Sequence, residues 1–183
     1  MKDRPIPQFI AKIMYSRHSE NSNIVQEKKL IKENVKPGMN IVDIGCGPGT
    51  LTLEMAKKVG KTGKVVALDI HPLSIEMIRT KISENRLMNI TPVLTDSMVT
   101  GANDGSIDMV FIFNTIGMIR NKNGLVVETQ RILKDGGRVL IYNKVHMGLL
   151  KPDKLFEGTS VFFEKRKTKA FYYRKNLEKK NEK

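Results

Sequence analysis

The sequence predicts an α/β domain, a parallel sheet wound with helices and ended by an antiparallel hairpin. Three observations predict it. Short β-rich runs alternate with stretches of helical periodicity between residues 41 and 142, which is how consecutive βαβ units read. The first run passes straight into Gly45-Cys46-Gly47-Pro48-Gly49, turn chemistry between a strand and a helix. The alternation then stops, and two β-like runs lie back to back over 160–166 and 169–175.

Each element has its own warrant. The first 40 residues hold one or two helices, over 9–15 and 24–35, before Pro37-Gly38. Ile41-Val42-Asp43-Ile44 is the first strand, and the helix from Thr50 to Val59 spaces Leu51, Met55 and Val59 by four. Lys64 to Asp69 is the second strand. His71-Pro72 opens the next helix, with Pro72 suited to a first turn and Ile75, Ile78 and Ile82 on one face. Ile90 to Leu94 is the third strand; Pro92 within it cannot donate to a ladder, which places it at a sheet edge. Ile107 to Phe113 is nearly continuous in apolar residues, as buried parallel strands are. A helix ends at Ile132-Leu133-Lys134 before a Gly136-Gly137 stop, and Arg138 to Tyr142 is the fifth strand. The terminal runs turn at Lys167-Thr168, a pair without the Gly or Asn of a tight hairpin.

Composition bounds the function. A chain of 183 residues suffices for one domain and not for two well-buried ones. Cys46 is the single cysteine, which excludes an internal disulfide framework and a Cys-based zinc cluster. No stretch approaches a membrane span and nothing near Met1 resembles a secretory leader, so a soluble, cytoplasmic protein without a membrane span is expected. The formal charge is +13, with 8 basic and 4 acidic residues in 1–40, 13 and 10 in 41–150, and 11 and 5 in 151–183. A near-neutral body with basic ends attracts anions.

The turn after the first strand carries the chemistry. Gly45, Gly47 and Gly49 permit positive φ and let a ligand press on bare backbone, while the following helix offers unpaired amides and a positive dipole end. Asp69, twenty residues past Gly49 at the tip of strand two, can accept from both hydroxyls of a ribose. A nucleoside-containing ligand at the carboxyl ends of the sheet is therefore expected. The dinucleotide fingerprint fails, because its last glycine falls on Thr50, and the Gly-Lys-Ser/Thr of a P-loop is absent.

Val42-Asp43-Ile44-Gly45-Cys46-Gly47-Pro48-Gly49-Thr50 closely resembles motif I of the class I S-adenosylmethionine-dependent methyltransferases. Val66 to Ile70, Thr95-Asp96-Ser97, Ile107 to Asn114 and Arg131 to Arg138 are similar to successive motifs of that family, covering about residues 36–175. The resemblance is nearest to the small-molecule enzymes typified by ubiquinone/menaquinone biosynthesis. It implies a Rossmann-like, doubly wound seven-stranded sheet in the order 3-2-1-4-5-7-6, as one methyltransferase domain. Residues 1–36 would form a helical cover, 37–175 the core and 176–183 a basic tail. It implies S-adenosyl-L-methionine as cofactor, held by Asp43 at its ammonium and by Gly45, Cys46, Gly47, Gly49 and Thr50. Asp69 would take the ribose, Ile70 one adenine face, Asp96 and Ser97 the adenine edge, and backbone near Asn114 the methionyl end.

No catalytic residue is assigned and no metal is expected. Cys46 reads as packing. His18 and His146 are candidate bases, set against the plain reading of solvated histidines, and Tyr15 and Arg17 are candidates to close over the cofactor. The ten methionines read as core filling. The expected activity is methyl transfer to a small-molecule acceptor by in-line displacement, which positioning alone can accelerate. One alternative is an RNA or protein methyltransferase docking an anionic substrate through the basic ends. Another is a non-catalytic cofactor-binding module. About 17 residues, 143–159, separate strand five from the hairpin, so the substrate pocket is expected to be open or completed by a partner subunit, as in a homo-oligomer. Phe171-Tyr172-Tyr173 among Lys165, Arg166, Lys167, Lys169, Arg174 and Lys175 fits either an edge hairpin packed on one face or single-stranded nucleic acid.

Overall fold

The computed structural model describes residues 5–19, 24–95, 98–144 and 154–178. Two helices, α1 (Gln8–Ser19) and α2 (Val25–Asn34), precede an alternation of β1 (Asn40–Ile44), α3 (Thr50–Val59), β2 (Lys64–Asp69), α4 (Pro72–Asn85), β3 (Ile90–Leu94), β4 (Ile107–Phe113), α5 (Lys122–Ile132) and β5 (Leu133–Tyr142). The chain ends in the hairpin β6 (Val161–Lys167) and β7 (Ala170–Lys175). The seven strands form one sheet in the order β3-β2-β1-β4-β5-β7-β6, parallel from β3 to β5 and antiparallel across β5-β7-β6.

The central strands β1 and β4 are buried on both faces because both faces are covered. Met109, Phe111 and Phe113 of β4 join Met55, Ala56 and Val59 of α3, Ile78 of α4 and Leu30 and Ile31 of α2 in one core layer. Val110 and Ile112, alternating with them, join Leu125 and Ile132 of α5 in the other. The period of two along each strand thus sorts side chains between two cores. Pro92 sits on the edge strand β3 opposite Ala67 of β2, where its missing N–H leaves no interior ladder broken.

Two expectations need correction. Gly136-Gly137 does not end one element before the next begins. β5 starts at Leu133, which pairs with Ile107, and the register resumes at Arg138 opposite Met109. The intervening residues bulge out, with Gly136 at φ 73°, so a glycine pair that reads as a stop serves as a bulge inside a strand. The methionines are not all core either: Met55 and Met109 are buried, whereas Met88 and Met118 are exposed.

The hairpin turns at Thr168, which takes a left-handed φ of 56° without glycine; the Arg166 guanidinium donates to its carbonyl at 3.0 Å. β7 is an interior strand, and Tyr172 and Tyr173 are buried in opposite core layers. Lys175 is buried too, its ammonium donating to the carbonyls of Gln130 and Leu133 at 2.8 and 2.7 Å. Tyr172 and Tyr173 are therefore spent on the core, which leaves them no face for stacking on bases, whereas Phe163 of β6 is 41% exposed.

Candidate functional site

The site is built where β1 and β2 end. The amides of Gly45 and Cys46 both donate to the Leu68 carbonyl, at 2.8 and 3.0 Å, so the glycine loop is tied to the end of the neighbouring strand. Gly45, Gly47 and Gly49 have φ of 74°, 52° and 77°, a region costly for side chains. Their surroundings differ. A Cβ on Gly45 would stand 2.3 Å from Thr115, and one on Gly49 2.3 Å from Ile78, whereas at Gly47 only the Tyr15 ring comes within 4 Å, at 3.8 Å. The outer two glycines let elements pack closely. Gly47 keeps open the space above the loop.

Asp69 closes the turn. One carboxylate oxygen accepts from the Gly47 amide at 2.8 Å and the other from the His71 amide at 2.8 Å. An ionised carboxylate accepts about four hydrogen bonds, so each oxygen retains capacity for a hydroxyl. Behind the loop, Lys81 of α4 donates to the Pro48 carbonyl at 2.7 Å, and burial holds its ammonium pKa below the usual value. Deeper in, Asp43 accepts from the Thr52 hydroxyl at 2.6 Å. Burial pushes its carboxyl up to about 6; the Thr52 bond opposes this and the charge of Asp69 adds to it. Burial, followed by the charges of Asp43 and Asp69, pushes the Cys46 thiol well above its usual value, which suits a packing residue and not a thiolate.

Asp43, Asp69, His71 and the loop from Gly45 to Pro48 line one cavity of about 490 Å³, inside the usual range for small-molecule sites. Of the expected cofactor residues, Asp43, Gly45, Cys46, Gly47, Thr50, Asp69, Ile70 and Asn114 line it. Gly49 is not among the lining residues and packs against Ile78 instead. Asp96 and Ser97 lie outside the described residues, as do His146 and the side chains of Arg17 and His18. Tyr15 lines the cavity, its hydroxyl sharing a 2.7 Å hydrogen bond with Ser74 and its ring set edge-on to His71. Burial is the main cause that raises its phenol above the usual pKa.

Several residues were not foreseen. His71 lines the cavity; its Nδ1 accepts from the Leu73 amide, which makes Nε2 the protonated nitrogen donating to the Ile6 carbonyl at 3.1 Å. Ile6, Ile24, Met98, Phe113, Met118 and Ile119 add apolar lining, and Arg120 lines the cavity too. Position just after β4 was the available signal for residues 115–120; Ile6 and Ile24 had none. Asn114, in the left-handed region at φ 57°, is held by the buried carboxylate of Glu27, which accepts from its amide at 2.9 Å and from the Lys144 ammonium at 3.0 Å. The Lys144 amide in turn donates to the Asn114 carbonyl oxygen of the side chain at 2.7 Å. The second Glu27 oxygen is buried without a hydrogen-bond partner. Among the described residues no cluster of His, Cys, Asp or Glu is placed to hold a metal, and no helix is long and apolar enough to cross a membrane.

The donor set fits a nucleoside joined to an amino acid. A cradle without Cβ atoms stands beside a hydroxyl-accepting carboxylate, a second carboxylate lies within reach of the same cavity, and apolar surface fills the rest.

The profile of the family described as "Methyltransferase domain" matches residues 35–181. The Ubiquinone/menaquinone biosynthesis C-methyltransferase UbiE of Hydrogenovibrio crunogenus is 31% identical over 119 residues, 63% of this chain and 47% of that protein. The demethylmenaquinone methyltransferase of Lactococcus lactis is 31% identical over 120 residues, 66% of this chain and 48% of its own length. The chain thus spans about half the length of these relatives. The crystal structure of a SAM dependent methyltransferase from Aquifex aeolicus superposes with a TM-score of 0.76 at 18% identity, covering 93% of this chain and 98% of that one, a likeness of fold.

Proposed function

Because this chain belongs to the class I S-adenosylmethionine-dependent methyltransferase family, we propose that it transfers a methyl group from S-adenosyl-L-methionine to a small, largely apolar acceptor. The observation that carries the reading is the Asp69 carboxylate, fixed by the Gly47 and His71 amides at the edge of a glycine-floored cavity.

When bound, the cofactor supplies an electrophilic methyl group on a sulfonium. The chain's own contribution is positional. Asp69 takes the ribose hydroxyls and Ile70 lies beside the purine. Gly47 lets the ligand meet backbone, and Asp43 offers the carboxylate that an α-ammonium favours. Asn114 is held rigid by Glu27 and Lys144, so the backbone after β4 presents one fixed surface to the methionyl end. Tyr15, Ile24 and Phe113 line the same cavity and would help to keep water from the reacting atoms. An in-line displacement needs little more than alignment and desolvation, which can supply roughly 7–11 kcal/mol. The apolar lining of Ile24, Met98, Phe113 and Ile119 favours a ring-bearing acceptor, in keeping with the quinone C-methylation named for the relatives.

Calorimetric titration tests the assignment. The wild type is expected to bind S-adenosylmethionine and its demethylated product, and not NAD. Asp69→Ala should remove two charge-assisted hydrogen bonds, about 3 kcal/mol or over a hundredfold in affinity. Unchanged affinity in that variant sinks the ribose role; binding of NAD in place of the sulfonium sinks the reading. A mass-spectrometric search for metabolites that gain a methyl group then identifies the acceptor, and a donor-binding protein without any methylated product would be a binding module.

A further inference from the structure

We propose that Lys81 of α4 is a positioning residue for the cofactor, its ammonium holding the glycine loop in shape from behind. The role rests on the cofactor reading above. Lys81 is not among the residues that line the cavity. It donates to the Pro48 carbonyl at 2.7 Å and, more weakly, to the Thr50 hydroxyl at 3.4 Å. Pro48 and Thr50 do line the cavity, so Lys81 acts on a ligand through the loop.

The loop is gripped from two sides. On one, the Asp69 carboxylate accepts from the Gly47 amide at 2.8 Å. On the other, α4 brings Ile78 and Lys81, three residues apart and so on one face. Ile78 lies where a Cβ on Gly49 would stand, which fixes how closely the loop approaches α4. Packing of that kind does not fix how a peptide is turned. Hydrogen bonds do, and the Pro48–Gly49 peptide has one at each end: its N–H donates to the Cys46 carbonyl at 3.1 Å, and its carbonyl accepts from Lys81. The bond to the ammonium is the stronger kind, because its donor is charged.

Two effects oppose a cation in this place. The first turn of α3 begins at Thr50, and a positive charge beside a helix N-terminus is disfavoured. Burial lowers the pKa of the ammonium, which Glu84 offsets only in part. A methionine fills the same space without either cost. A local rule broken beside a ligand cavity marks a functional position, and the orientation of the Pro48–Gly49 peptide is what this charge secures.

Two measurements test the role. Lys81→Met keeps the apolar stem and removes the donor, and Lys81→Arg restores a charged donor. In the ligand-free protein, amide hydrogen exchange at Gly47 and Gly49 is expected to run several-fold faster in Lys81→Met, with exchange on β1 and β4 unchanged. In calorimetry, affinity for S-adenosylmethionine should fall on the order of tenfold in Lys81→Met and largely recover in Lys81→Arg. The melting temperature of Lys81→Met should hold or rise, since a half-buried charge has gone. Lys81→Gln takes the place of the methionine variant if that one does not fold. Wild-type affinity in the variant without the ammonium overturns the proposal, as does unchanged exchange in the loop. A loss of affinity that tracks an equal loss of stability, or that arginine does not repair, also overturns it. A wild type that binds no S-adenosylmethionine overturns the cofactor reading and this role together, whereas a wild type that binds it beside an equally tight Lys81→Met overturns this role alone.

Discussion

Burial takes the Asp43 carboxyl out of water, and its pKa rises from an ordinary 3.8 to about 6; the Thr52 hydroxyl opposes the rise and Asp69 reinforces it. The folded state therefore holds a proton that the unfolded chain releases. The stability tied to that proton is fully present below pH 3.8 and is lost as pH climbs through 6, an amount of ~2–3 kcal/mol at neutrality. Asp43→Asn should accordingly melt higher than the wild type at pH 7 and equally at pH 3.5, while binding S-adenosylmethionine more than tenfold more weakly because the ammonium loses its partner. Equal melting temperatures at pH 7 would contradict the buried charge. Wild-type affinity would remove Asp43 from the cofactor. Asp43 and the glycines were legible as part of one contiguous strand-turn-helix, and Asp69 by its place at the tip of the next strand, twenty residues past Gly49. His71, Lys81 and Glu27 were not, since their partners Ile6, Pro48 and Asn114 lie 65, 33 and 87 positions away.

At the scale of elements, the glycine loop divides two tasks that share one residue type. Gly49 stands at the start of α3 with φ 77°, and an added Cβ would meet Ile78 of α4 at 2.3 Å. Gly49→Ala should cost about 2–4 kcal/mol, from left-handed strain and from overpacking between α3 and α4, measured by denaturant unfolding. Gly47→Ala carries the strain without the clash, so it should lose only about 1–2 kcal/mol of stability while placing a methyl group in the space proposed for the ligand. Its signature is a drop in cofactor affinity out of proportion to its stability, and a matched loss of both would show that the Gly47 site is structural. The strands were legible for a related reason. Their apolar runs and the edge position of Pro92 are local signals that tertiary packing supports. β5 was misread because Gly136-Gly137 has the chemistry of a stop, and only the Ile107–Leu133 pairing shows that the strand continues across it.

At the scale of the whole molecule, the two helices before the sheet do different work. α2 contributes Leu30 and Ile31, and Val35 follows it, to the same core layer as Met55, Val59 and Phe111. All three are 3% exposed or less. α1 meets the domain at the rim, through Ala11 and the Tyr15–Ser74 hydrogen bond. The boundary between cover and core at residue 36, which the family resemblance implies, falls just before Pro37-Gly38, a turn signal that reports where the chain bends. Removing residues 1–23 should therefore leave a cooperatively folded protein with weaker cofactor binding, because Ile6 and Tyr15 leave the cavity wall. Removing residues 1–36 strips three core side chains at about 1.5–3 kcal/mol each, a sum comparable with the 5–15 kcal/mol that holds a domain together, and also takes Glu27 from Asn114 and Lys144. Thermal unfolding of the two truncations decides the matter. A cooperative transition near the wild-type temperature in the longer deletion would make α2 a detachable cover, whereas its loss makes α2 part of the core that α1 only roofs.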